Sequence, residues 1–229
     1  STKKAIDLAQ KFNSKLHVLH ISTKDEIELF DAGPIENKKI TSEVCVPHLL
    51  FSSSDYENLG SLIKCNPSIK ANSDKTAFRQ ALKKGVIDYV ATDHAPHILS
   101  EKEKNYLNSH SGMPSVQHSF LAVLEMVHDG DLEITDVPKI TSHNVAKRFE
   151  IKDRGFINEG FWADLVLVNM NDSYEVKKEK IFYKCGWSPF YRYTFKSRII
   201  ETIVNGERIY SQGKILSDTI GEKLEFTRG

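Results

Sequence analysis

Val86-Ile87-Asp88-Tyr89-Val90-Ala91-Thr92-Asp93-His94-Ala95-Pro96-His97 is the stretch whose reading decides the fold. Apolar and β-branched residues open it, an acid ends the run, and Ala95-Pro96 turns the chain sharply into His97. A strand that ends in a carboxylate and turns at once through proline into a histidine suits one place above others. That place is the catalytic rim of a parallel barrel, where strand ends present metal-binding acids. Four further residues lead to Lys102.

Working outward, the pattern upstream alternates between helix and strand. Ala5, Ile6, Leu8, Ala9 and Phe12 form one apolar stripe of a helix over about 3–12, and a strand follows over about 16–21. A short helix near Asp25–Asp31 is broken by Gly33-Pro34, and a second strand covers about 40–46. Helical stretches at about 55–63 and 74–84 come next, the latter with Asn72 and Ser73 as candidate caps and Gly85 past its end. The strand that delivers Asp93 completes the series. Such alternation implies parallel strands with covering helices, an α/β architecture.

Three strands do not close a barrel, since a (β/α)₈ domain needs eight strands and roughly 250 residues. The expectation is therefore the C-terminal portion of a TIM-like barrel, about its last three strands. The chain opens directly in helical spacing, and reads as one cut into mid-fold. Downstream, about 98–112 is a polar loop, and Val116, Phe120, Leu121, Val123, Leu124 and Val127 mark a long amphipathic helix ending at Gly130. A shorter helix is expected at about 142–149. After 150 the character turns to β, with a hairpin of Ile199–Asn205 and Arg208–Ser211 about Asn205-Gly206. The expected division is 1–150, a partial barrel, and 151–229, a small β domain.

Composition narrows the partners. Thirty-one basic side chains balance thirty-one acidic ones, so nothing suggests a nucleic-acid footprint or an anionic membrane surface. No apolar run approaches the roughly 20 residues of a bilayer span. Three scattered cysteines, Cys45, Cys65 and Cys185, fit a reducing, cytoplasmic setting rather than a disulfide framework.

The Asp93-His94-Ala95-Pro96-His97 run with Lys102 resembles the dihydroorotase signature, an Asp-x-Ala-Pro-His core followed by Lys. Glu43–Phe51 and Ile63–Pro67 extend the resemblance, and Gly155-x-Ile157-x-x-Gly160-x-x-Ala163-Asp164-Leu165-Val166 is similar to the C-terminal segment of cyclic amidohydrolases. The resemblance implies a metal-dependent barrel enzyme with two Zn2+ ions per complete site. It would open the dihydroorotate ring reversibly to N-carbamoyl-L-aspartate, a step of pyrimidine biosynthesis. It also implies the rest of the same protein as a partner, and it admits a homo-oligomer.

By that resemblance Asp93 is both metal ligand and proton carrier, and His20 holds the second metal. A lone strand histidine is more often structural, but His20 lies at the strand end where such sites form, while His17 lies earlier on the opposite face. Asn66 and His97 would orient substrate, and Ser111 and Gly112 would offer backbone groups to the ring, glycine permitting close approach. On chemistry alone Asn66-Pro67 is more often a turn. His48 reads as structural or as a supporting residue, Cys185–Phe190 as a packed turn, Lys177–Lys180 as a solvated face. His94, His110, His118, His128 and His143 read as surface or helix residues.

The chain departs from the family in three ways. No His-x-His occurs, Pro47 stands where a histidine is expected, and Asn144-Val145-Ala146 replaces Asn-Pro-Ala. Two competing expectations follow: another cyclic amidohydrolase of hydantoinase or allantoinase type, or a catalytically inactive homologue kept as a scaffold.

Overall fold

A computed structural model describes residues 1–217 and 221–227. Three parallel strands form the first sheet in the order β1 (Leu16–Val18), β2 (Ile40–Cys45) and β3 (Tyr89–Ala91). Helices α1 (Thr2–Lys11), α2 (Asn72–Lys83), α3 (Val116–His128) and α4 (Asn144–Phe149) accompany it.

Alternation along β2 sorts its two faces. Val44 joins Ile21 and Ile87 in a core with Phe78, Ala81 and Leu82 of α2 and Leu121 and Leu124 of α3. Thr41, Glu43 and Cys45 take the other face, which is polar. There His17 Nδ1 lies 2.9 Å from Thr41 Oγ1, and its Nε2 lies 3.1 Å from Glu43 and 2.6 Å from the Tyr89 hydroxyl.

Several expected boundaries move. β1 ends at Val18, not at Ile21, because His20 adopts φ 38°, a left-handed value that breaks the ladder. Pairing resumes only where the Ile21 amide donates to the Glu43 carbonyl at 3.0 Å. β3 starts at Tyr89 rather than Val86, and β2 stops at Cys45 because Val46-Pro47 opens a short helix. The stretch 55–63 is a set of short turns broken at Gly60, φ 48°. The cap of α2 is neither Asn72 nor Ser73: the Asp74 carboxylate accepts the Ala71 amide at 3.1 Å. The helix expected at 142–149 is α4, preceded by a wide turn at Lys139–His143.

Just ahead of β3, Asp88 is buried with Lys38, Nζ to Oδ1 2.8 Å, and accepts the Ser42 amide at 2.9 Å. Burial raises the Asp88 carboxyl above its ordinary range despite the ion pair. Asn144 of α4 donates its amide to the Asp88 carbonyl at 2.6 Å, anchoring that helix to the strand entry.

Beyond 150 the strands are antiparallel. β4 (Leu165–Asn169), β5 (Tyr174–Glu175), β6 (Thr194–Phe195), β7 (Arg198–Val204), β8 (Glu207–Ser211) and β9 (Lys214–Ile215) form a four-stranded sheet in the order β4-β7-β8-β9 and a β5-β6 pair. The β7–β8 hairpin turns through Asn205 and Gly206 at φ 53° and 85°, the double left-handed turn that Asn-Gly favours. Val176, Phe190 and Phe195 belong to the same core as α2 and α3, so apolar packing runs across position 150 without a break.

Candidate active site

The polar face of the first sheet climbs towards the strand ends. Glu43 pairs in register with Tyr89, and Cys45 with Ala91. Asp93 lies two residues above. It is half-buried and holds φ 47°, so the backbone turns over at the strand tip as it does at His20. Such values are uncommon outside glycine, and they re-aim a side chain that plain alternation would fix.

The electrostatics place these groups together. Burial pushes the Asp93 carboxyl above its ordinary range, His20 pulls it back down, and Glu43 pushes it up. Burial raises the thiols of Cys45 and Cys65, and the Asp93 charge raises both further. His20, just past β1, and Glu43 of β2 thus both bear on the Asp93 carboxyl just past β3. A carboxylate and an imidazole are donors that suit a borderline divalent ion such as Zn2+. Two donors are fewer than the three or four such an ion takes.

The loop that follows is built over this tip. Ala95 donates its amide to the Met113 carbonyl at 3.2 Å, and the Gly112 amide donates to the Lys64 carbonyl at 2.8 Å. His97 Nε2 lies 3.0 Å from the Ser111 carbonyl. Segments 94–97, 64–66 and 111–113 thus lie side by side. His97 is half-buried, Asn66 and Ser111 are exposed, and Gly112 is buried.

Lys102 underlies the arrangement. Wholly buried, it donates to the carbonyls of Lys64 (3.1 Å) and His110 (2.8 Å), and burial lowers its ammonium to about 8. The surrounding loop is not featureless, since Leu99–Lys102 is a helical turn. Trp187 of the Cys185–Phe190 segment donates its indole N–H to the His97 carbonyl at 2.8 Å, so the aromatic turn braces the same loop.

Two histidines expected on surfaces or plain helix faces do other things. His94 Nδ1 accepts the amides of Ser115 (3.0 Å) and Val116 (3.3 Å), capping α3. His118 is buried, stacked on Phe195, with Nδ1 3.3 Å from both the Tyr183 hydroxyl and the Ser188 Oγ. His48 is buried too, its Nε2 donating to the Pro67 carbonyl at 3.0 Å beside Asn66.

Comparison with known proteins follows the same lines. Residues 4–209 match the model of the amidohydrolase family. The chain is 31% identical to the dihydroorotase of Pyrococcus abyssi over 223 residues, 97% of this chain and 52% of that protein. It is also 31% identical to the allantoinase of Bacillus velezensis over 214 residues, 93% of this chain and 47% of the other. In structure it resembles the L-hydantoinase of Arthrobacter aurescens, TM-score 0.85 at 22% identity, over 94% of this chain and 49% of that one. The chain spans about half the length of the curated relatives it matches.

Proposed function

This chain belongs to the amidohydrolase family, and on that premise we propose that it supplies part of the active site of a cytoplasmic dihydroorotase. The observation that carries the reading is the left-handed backbone at both His20 and Asp93, just past the ends of β1 and β3, with His20 lowering the Asp93 carboxyl. Residues 1–150 would be the last strands of an eight-stranded barrel and 151–229 a small β domain. The remaining metal ligands would come from chain outside these residues.

In this reading Asp93 and His20, together with those outside ligands, would hold Zn2+, which would supply polarisation of the ring carbonyl. Asp93 takes a proton from the attacking water and delivers it to the ring nitrogen as the C–N bond breaks. Asn66, with an amide that donates and accepts, and His97 orient the cyclic ureide and its carboxylate. The Ser111-Gly112 backbone borders the ring.

The allantoinase relative and the hydantoinase-like fold define the competing substrates. A panel of dihydroorotate, hydantoin and allantoin on the full-length protein decides between them. Dihydroorotate is expected to be turned over fastest, and preference for hydantoin would overturn the reading. Asp93→Ala is expected to lower turnover by roughly 10³-fold or more while leaving the circular dichroism spectrum unchanged. Near-wild-type turnover would remove Asp93 from the mechanism.

A further inference from the structure

On the loop above Asp93 lies a second group of metal-capable donors. His97, Glu101 and His110 each bring one ligand atom within 4.8 Å of the others. His97 Nδ1 and Glu101 Oε2 are 3.4 Å apart. That is about the edge of a tetrahedron whose bonds are ~2.1 Å, the length of zinc bonds to imidazole and carboxylate. The rings of His97 and His110 meet edge to face, centroids 4.9 Å apart. Two imidazoles and a carboxylate are a donor set that zinc-type ions favour.

The hydrogen bonding of His97 gives an independent argument. Its Nε2 lies 3.0 Å from the Ser111 carbonyl, which can only accept, so Nε2 carries the proton and donates. In the neutral ring Nδ1 is then a bare lone pair, and it faces the Glu101 carboxylate. Two acceptors opposed at this distance repel unless a proton or a cation lies between them. An imidazole whose far N–H is held by a backbone carbonyl is the usual supporting arrangement of a metal-bound histidine. A protonated His97–Glu101 pair would need no third donor, whereas a cation would use His110. The backbone at His110 is fixed besides, because Lys102 holds its carbonyl.

We propose that His97, Glu101 and His110 bind a divalent transition-metal ion of the zinc type, and that filling this site withdraws His97 from the substrate. The first half stands on the geometry of the three side chains alone. The second half rests on the substrate-orienting role given to His97 above, and makes the site a cation-operated brake on substrate binding.

Calorimetric titration of the protein with Zn2+, repeated with Co2+ while following its visible absorption, tests the site. The variants are His110→Ala and Glu101→Gln, with Asp93→Asn as the reference for the strand-tip site. Expected is a binding event that His110→Ala and Glu101→Gln each weaken about tenfold or more and Asp93→Asn leaves in place. Unchanged binding in both loop variants, or loss of the event in Asp93→Asn, overturns the proposal. Glu101→Gln, a change at a half-exposed side chain, guards against a variant that fails to fold. In the full-length enzyme, added Zn2+ is expected to raise KM while sparing kcat, and His110→Ala to relieve the effect. Equal inhibition in the variant refutes the brake. Should no cyclic amide be hydrolysed at all, the proposed function fails while the titration still decides the cation site.

Discussion

Gly112 has almost no room. At φ +123°, a Cβ on it would stand 2.5 Å from the Ala95 carbonyl oxygen and 3.3 Å from His97 Cδ2. Backbone cannot yield as a flexible side chain does, and the dihedral itself suits only glycine. Gly112→Ala is expected to cost roughly 2–4 kcal/mol and to displace His97. Urea unfolding gives the first quantity and substrate KM in the full-length enzyme the second. A variant within about 0.5 kcal/mol of wild type, with unchanged KM, would show that the loop adapts. At this scale the Asp-x-Ala-Pro-His motif singled out Asp93 and His97 as candidates, because its residues are neighbours in sequence. His94 and His118 were not legible. Their partners, Ser115 for one and Phe195 for the other, are remote in the chain and meet them only in the fold.

At the scale of elements, the strand–helix alternation was readable and the strand lengths were not. Apolar periodicity does not reveal that His20 turns left-handed, and that turn both shortens β1 and re-aims the side chain. The loop over the site owes its order to Lys102, whose ammonium joins the 61–66 and 108–113 segments through two carbonyls. Lys102→Ala removes the donor shared by the Lys64 and His110 carbonyls, although His110 still accepts from Ser109 Oγ, and leaves a cavity. The expected loss is about 3 kcal/mol, with faster hydrogen exchange at the Gly112 amide. Exchange unaltered at Gly112 would show that Lys102 does not order the loop. The motif marked this lysine in the sequence, yet its burial came only with the structure, since an isolated lysine reads as surface.

For the whole molecule, acid sensitivity follows from two interior histidines. Burial holds His48 and His118 down to about 4, against an ordinary value of 6.5. Between those values the unfolded chain binds protons that the folded chain refuses, so stability is full above about pH 6.5 and falls as pH drops towards 4. Each group contributes on the order of 3 kcal/mol across that window. Urea midpoints measured at pH 7 and pH 5 are expected to fall clearly, and a flat profile would contradict the burial of these rings. Because Val176, Phe190 and Phe195 share a core with α2 and α3, the loss is expected to be felt on both sides of position 150 in one transition. The aromatic brace offers a way to watch it. Trp187 is nearly enclosed and tied to His97, while Trp162, the other of the two tryptophans, is about half open to water beside Arg154. Replacing Trp162 with phenylalanine would leave a single indole whose emission colour reports, in real time, whether the loop over the strand tips is seated or has come away.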